Sequence, residues 1–261
     1  MNEISAVKSG FSAKKKLIIA LVAVVGVIAI AVSSVFATVA YLTFSSAVSN
    51  TFTIGNIGIT MDEGKVNSDG QHEDGGVTRV DGNSYHLIPG KSYDKDPVIH
   101  VHADSEDSYI FVVVRNDIKD IAADTAECPT IHDQMLKNGW ALYGQVSTGP
   151  VYVYVGEDCS GLADDGKYNA SIYPVQAVHE NTDYPIFSKF YLDKNCEDKL
   201  HLYGGAKVTV TAYAIQDDGF NGNADQAWAA IVAAFPFLHT GTNNTGGGTA
   251  SGGTDGGTES A

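Results

Sequence analysis

Ser108-Tyr-Ile-Phe-Val-Val-Val-Arg115 is the stretch that decides the fold. Its β-branched and aromatic residues favour an extended strand. Odd and even positions are equally apolar, as expected of a central strand covered on both faces. Upstream, Pro89-Gly90 and Asp96-Pro97 punctuate the chain, and Val98-Ile-His-Val-His102 reads as a second strand. Downstream, Trp140-Ala-Leu-Tyr143 and Val151-Tyr-Val-Tyr-Val155 suggest a hairpin around Gly149-Pro150. Ile186-Phe-Ser-Lys-Phe-Tyr-Leu192 and residues 207–215 supply further strands. Two short helices interrupt this pattern. Residues 130–138 start at Thr130, a good N-cap with Asp133 at the capping-box position, and stop at Gly139. Residues 224–235 follow Asn223, with Gln226 at the box position and Pro236 as the stop. Residues 62–82 are polar, acidic and Gly-rich, and read as a solvated surface loop. The whole is an all-β, antiparallel β-sandwich with one insertion and two short helices. Thirteen Tyr and ten Phe against two Trp and three Met fit that class, and 44% hydrophobic residues among 261 suffice for a core.

The N-terminal end has a different character. Lys14-Lys15-Lys16 precedes an apolar run from Leu17 to Val32, and small residues follow at Ser33, Ser34, Ala37, Thr38 and Ala40. A basic start, an apolar middle and a small-residue exit predict a secretory signal peptide over residues 1–40, cut between Ala40 and Tyr41. The alternative is a retained anchor, since residues 17–42 are uncharged and long enough to span a bilayer. Either reading puts the body outside the cytoplasm, and the membrane is met only through the uncleaved segment. Past Ala40, Leu42, Phe44, Val48, Phe52 and Ile54 all occupy even positions. This period-two alternation gathers them on one face of a strand. The phase switches after Gly55, because Ile57, Ile59 and Met61 are odd; glycine allows the bulge or turn required.

These features resemble the TasA/camelysin family of secreted proteins. The resemblance rests on the Lys-Lys-Lys start with its apolar run, on Ala40-Tyr41-Leu42-Thr43, and on Asn50-Thr-Phe-Thr-Ile-Gly-Asn-Ile-Gly-Ile-Thr-Met-Asp-Glu63. It continues through Tyr85-His-Leu-Ile-Pro-Gly90, Lys95-Asp-Pro-Val-Ile99, residues 108–116 and Lys207-Val-Thr-Val-Thr-Ala-Tyr-Ala-Ile-Gln216. Between Asp117 and about Gly205 it is diffuse. The resemblance implies a jelly-roll-like sandwich over residues 41–238, a signal peptidase of SipW type as processing partner, and assembly into extracellular fibres. Some members of that family have been called metallo-endopeptidases. It also points to a donor-strand mode along the strand of Leu42, Phe44, Val48, Phe52 and Ile54, in which Leu42, Phe44 and Val48 insert into the groove of the next copy. The alternative is that the strand folds back as the first strand of its own sandwich, which is the expectation for Phe52 and Ile54, adjoining the body.

Charge excludes one class of partner. The formal charge is −15, and residues 1–40 carry four Lys against Glu3, so the remainder carries −18. Such an acidic body repels nucleic acid. Residues 239–261 are Gly-, Thr- and Ser-rich without periodicity, as in a flexible tail, and carry no Leu-Pro-x-Thr-Gly sorting signal.

Chemistry is sparse. No His-Glu-x-x-His occurs, so no peptidase is expected. His100 and His102 lie two apart on one strand face, where a zinc ion would need a third ligand such as His86 or Glu106. A plain pair of surface His gives the same pattern. Asp217, Asn221 and Asp225 fall near the ligand positions of a calcium loop with Gly222 at its turn, but Trp228 stands where the bidentate Glu belongs. A turn followed by a helix cap explains those residues equally. No cofactor is therefore expected beyond these two partial patterns. Cys128, Cys159 and Cys196 leave open one disulfide plus a free thiol or three free thiols.

Overall fold

The structure is a computed structural model and describes residues 43–45 and 47–240, with side chains from 51 to 238. The expected signal segment, with Ala40, Tyr41 and Leu42, lies outside the described residues, as do residues 241–261 of the tail.

The strand read first is central. β8 (Ser108–Asn116) pairs along its full length with β14 (Val208–Gln216), antiparallel, from Asn116↔Val208 to Ser108↔Gln216. On its other side β8 pairs with β11 (Gly149–Tyr154), which forms a hairpin with β10 (Trp140–Val146). β2 (Ala47–Ile54) completes the order β10-β11-β8-β14-β2. Facing this sheet are β12 (Asp183–Pro185), β7 (Val98–Val101), β3 (Ile59–Gly64) and β4 (Arg79–Val80), in that order. A third sheet joins β6 (Ser92–Asp94), β13 (Lys189–Leu192) and β9 (Ala122–Ala123), and β1 (Thr43–Ser45) pairs with β5 (Ser84–His86).

Alternation explains the double-sided apolar run. Ile110, Val112 and Val114 face one core with Ile59, Met61, Ile99, Val101, Phe190 and Leu192 from the smaller sheets. Tyr109, Phe111 and Val113 face a second core on the opposite side. That side is covered by helix α2 (Ala224–Ala234), through Ala224, Ala227 and Ile231, and by coil carrying Cys159 and Val175. β8 is thus sandwiched between a sheet and a helix-and-coil layer, which is why polar residues are missing from both of its faces.

Both helices start where local chemistry puts them. The Thr130 side chain accepts from the backbone N–H of Asp133 at the start of α1 (Ile131–Lys137), and Gly139 beyond it takes φ 84°. The Asn223 side chain accepts from the N–H of Gln226 at the start of α2. A further helical turn lies at Glu197–Leu200, whereas Ala163–Gly166 is a tight turn with Asp164 and Asp165 at positive φ.

Four sequence expectations are modified. The hairpin turns at Ser147 and Thr148, not at Gly149-Pro150. Gly149 sits inside β11, where a Cβ would run into the Val114 carbonyl, so glycine answers to close strand approach and not to the turn. The run at residues 186–192 is a strand only from residue 189: β13 pairs with β6 and β9, while residues 186–188 link it to β12, which pairs with β7, so the chain changes sheets there. The sheets are not wholly antiparallel, since β2 runs parallel to β14. A parallel pair needs a long connection, and here nearly the whole body lies between the two strands. Finally, residues 62–82 are not merely solvated. Gly70, at φ 72°, lies so close to the Tyr93 ring that a Cβ would collide with it, and Glu63 is fully buried.

Candidate functional site

Two regions concentrate the features from which function can be argued: the edge formed by β2 and a charged cluster under the 62–82 loop.

At the edge, β2 contributes the even-numbered residues that alternation singled out. Phe52 lies opposite Tyr213 and stacks on it at 5.2 Å between ring centroids. Phe235 meets the same ring edge-on at 5.0 Å, and Phe237 lies at 6.1 Å. Ile54 lies opposite Ile215 and, like Phe52, packs against the second core while remaining partly exposed. Val48 is in register with Val210, and Phe44 of β1 with Tyr85 of β5. The strand ends at Gly55, whose φ of 105° turns the chain towards β3. The structure therefore places Phe44, Val48, Phe52 and Ile54 in strands paired with the chain's own body.

The histidine pair does not converge. His100 Nε2 is 2.9 Å from Asp62 Oδ1, and its Nδ1 is 2.7 Å from Asp183 Oδ1. Only the protonated ring can donate at both ends. His102 instead lies 3.1 Å from the Thr60 hydroxyl. His86 sits on β5, opposite Thr43, and the Glu106 N–H donates to the Asn56 carbonyl. Burial alone would lower the His100 pKa, but the hydrogen bonds and charges of Asp62 and Asp183 outweigh it and raise the value above the ordinary 6.5. Burial likewise opposes ionisation of Asp62, yet His100 and Arg79 hold it below the ordinary 3.8. The ion pair consequently stabilises the fold fully below the unfolded imidazole value, and this stability is lost as pH rises through the higher folded value. On the acid side it is lost as pH falls through the depressed Asp62 value. His100→Ala is expected to destabilise by up to about 1 kcal/mol near pH ~5 and by less near pH ~9, measured by urea unfolding at both values.

The calcium-like segment forms a turn and a cap. Asn221 and Gly222 take positive φ, the Gly222 N–H donates to the Tyr109 hydroxyl, and Asn223 caps α2. Asp225 accepts from the Tyr143 hydroxyl at 2.8 Å. Burial first, and then the charges of Asp107 and Asp218, raise the Asp217 pKa. Among the described residues no group of three His, Cys, Asp or Glu is arranged to hold a metal ion. The three cysteines are free and buried. Burial pushes the Cys159 thiol up to about 11, and it donates to the Leu136 carbonyl.

Sequence reading missed the charged cluster. Arg79 Nε donates to Asp62 Oδ1 at 2.7 Å and Nη1 to Asp96 Oδ2 at 2.6 Å, while Nη2 reaches the carbonyls of both residues. His72 Nε2 is 3.1 Å from Asp96 Oδ1. Beneath this lies a buried trio. Lys95 Nζ donates to Glu63 Oε2 at 2.5 Å, and Asn83 Nδ2 donates to Glu63 Oε1 at 2.8 Å. Asn83 Nδ2 also donates to the Gly64 carbonyl, and its Oδ1 accepts from the Val66 N–H at 2.9 Å. Burial lowers the Lys95 pKa against the opposing pull of Glu63. A signal was present in the sequence: Ile59, Met61 and Glu63 share one strand phase, as do Asn83, Tyr85 and Leu87.

An open cleft of about 960 Å³ is lined by Arg115, His132, Tyr152 and Asp165 among others. His132 Nδ1 is 2.9 Å from the Tyr152 hydroxyl, and its other ring nitrogen lies 3.6 Å from Asp165. Compared with protein-family models, curated proteins and solved structures, the chain matches none.

Proposed function

We propose that this chain is an extracellular structural protein whose N-terminal strand joins copies into filaments by donor-strand exchange. The observation that carries the reading is β2. It is an edge strand, separated from the body by a Gly55 turn, and its Phe52 occupies an aromatic pocket formed by Tyr213, Phe235 and Phe237. A strand that completes its own sheet from the chain end can complete the same edge of another copy. Main-chain hydrogen bonds then give affinity and the side-chain pocket gives register. Such head-to-tail addition does not close on itself, so it yields filaments. The jelly-roll-like sandwich belongs to the same reading, supported by the facing sheets around the first core. Export through a signal cut by a SipW-type peptidase supplies the free strand, and the partner is another copy of the chain.

This reading requires Tyr41 to be the mature terminus. Mass spectrometry of the exported protein is expected to find the chain starting there. A chain that keeps residues 17–42 and stays with the membrane fraction would favour the tethered, monomeric alternative. Electron microscopy of the mature protein over a concentration series tests assembly itself: filaments are expected above a threshold concentration, and monodisperse particles at every concentration would overturn the reading.

A further inference from the structure

The buried trio of Glu63, Asn83 and Lys95 has the parts of a self-acylating site. Strand phase turns Glu63 of β3 inward beside Ile59 and Met61, and Asn83 and Lys95 join it below the partly buried cluster of Arg79, Asp62 and Asp96. Each oxygen of the Glu63 carboxyl holds one nitrogen: Oε2 the Lys95 amine at 2.5 Å, and Oε1 the Asn83 amide at 2.8 Å. The Asn83 carbonyl points the other way and accepts the Val66 N–H at 2.9 Å. Tyr85, 1% exposed, borders the trio and stands edge-on to Tyr93 and Phe190, so the surroundings are aromatic and dry.

We propose that Lys95 Nζ and Asn83 Cγ become joined by an intrachain amide bond, formed with loss of ammonia and with Glu63 as the catalytic proton carrier. Glu63 takes a proton from the Lys95 ammonium and leaves a neutral amine. A buried, unsolvated lysine gives up that proton far more readily than an exposed one. The amine lone pair attacks Asn83 Cγ. The Val66 N–H, already on Oδ1, stabilises the oxyanion that develops there. Glu63 passes its proton to Nδ2, the Cγ–Nδ2 bond breaks, and ammonia leaves. The extra proton on the new amide nitrogen goes to Glu63 and departs with the ammonia as ammonium, which restores the carboxylate. One C–N bond forms and one breaks, with no oxidant, reductant or co-reactant. The geometry favours the reaction because nucleophile, electrophile and proton carrier are held together before it starts.

The test is mass spectrometry of the purified secreted protein, digested with trypsin under denaturing and reducing conditions. In the linked chain, peptides 80–91 and 92–115 travel as one branched species, lighter than their sum by one ammonia, and trypsin does not cut after Lys95. Glu63→Gln and Asn83→Ala are expected to give peptides 80–91, 92–95 and 96–115 separately, at their sequence masses, because cleavage after Lys95 is restored. Asn83→Asp is expected to give the same branched species, now by loss of water from its carboxyl. Wild-type protein that yields peptides 80–91, 92–95 and 96–115 unlinked overturns the proposal. So does an ammonia loss that maps to Asn138 or Asn221, each followed by glycine, where a succinimide would explain it.

Discussion

Deleting residues 41–49 from the mature chain is expected to abolish filaments and leave a folded monomer. The deletion keeps Phe52 and Ile54, which pack on the second core, so the body retains its β14 contacts on that side. It removes Leu42, Phe44 and Val48, the residues that alternation places on the same strand face. Each buried aliphatic or aromatic side chain contributes about 1.5–3 kcal/mol, so the donated strand loses most of its apolar driving force. Leu42→Asp combined with Phe44→Asp is expected to have the same effect without shortening the chain, because a carboxylate cannot be buried unpaired. Pairing within one chain and pairing between copies use the same contacts, so the balance is set by concentration. Filament mass should therefore rise steeply with protein concentration. Electron microscopy and sedimentation at matched concentrations compare the variants. A truncated protein that polymerises as well as the intact mature chain sinks the donor-strand reading, whereas circular dichroism that shows loss of strand signal would point to a folding defect.

What could be read from the sequence was what local chemistry writes. A β-branched, aromatic run apolar on both faces marked β8, glycine at position 55 marked the change of phase, and the Thr130 and Asn223 caps marked both helix starts to within a residue. What could not be read depends on residues brought together from far apart. The parallel pairing of β2 with β14 joins segments separated by nearly the whole body, and no local pattern encodes it. That only residues 189–192 of the run at 186–192 form a strand is invisible to periodicity, because Ile186 and Phe187 in the link before it are buried as well. His100 looked like half of a metal site because sequence shows His102 two residues away. It does not show Asp62 and Asp183, whose carboxylates take both of its ring nitrogens. The Glu63 trio was hidden differently. Its phase was readable from Ile59 and Met61, but a charged residue at an inward position reads as the end of a strand unless a buried partner is known. Lys95 supplies that partner from 32 positions away.

Glu63→Ala should therefore be among the most damaging single substitutions in the body, at about 3–5 kcal/mol, because it removes the carboxylate that pairs with a buried ammonium. The Lys95 and Glu63 side chains are both 0% exposed, so water cannot take over the missing contact as it would at the surface. Asn83 also loses an acceptor for its amide. The proton carrier disappears with the carboxyl, so no amide forms and Lys95 keeps its titratable amine. Asp62→Ala makes the contrast, since its pairs with Arg79 and His100 are partly exposed and should cost about 1 kcal/mol or less. In thermal unfolding, the Glu63 loss corresponds to roughly 6–20 °C for a body of this size. The pH dependence identifies the cause. In Glu63→Ala the folded state holds Lys95 well below its ordinary 10.5, so the unfolded chain binds the extra proton. Stability must then rise with pH until the unfolded lysine also loses its proton. Urea unfolding of the variant from neutral pH towards pH ~10 should recover part of the deficit, after correction for the same series on wild type. A deficit of the full size that does not change with pH would mean that lost packing, and not the loss of the Glu63 charge beside Lys95, is responsible.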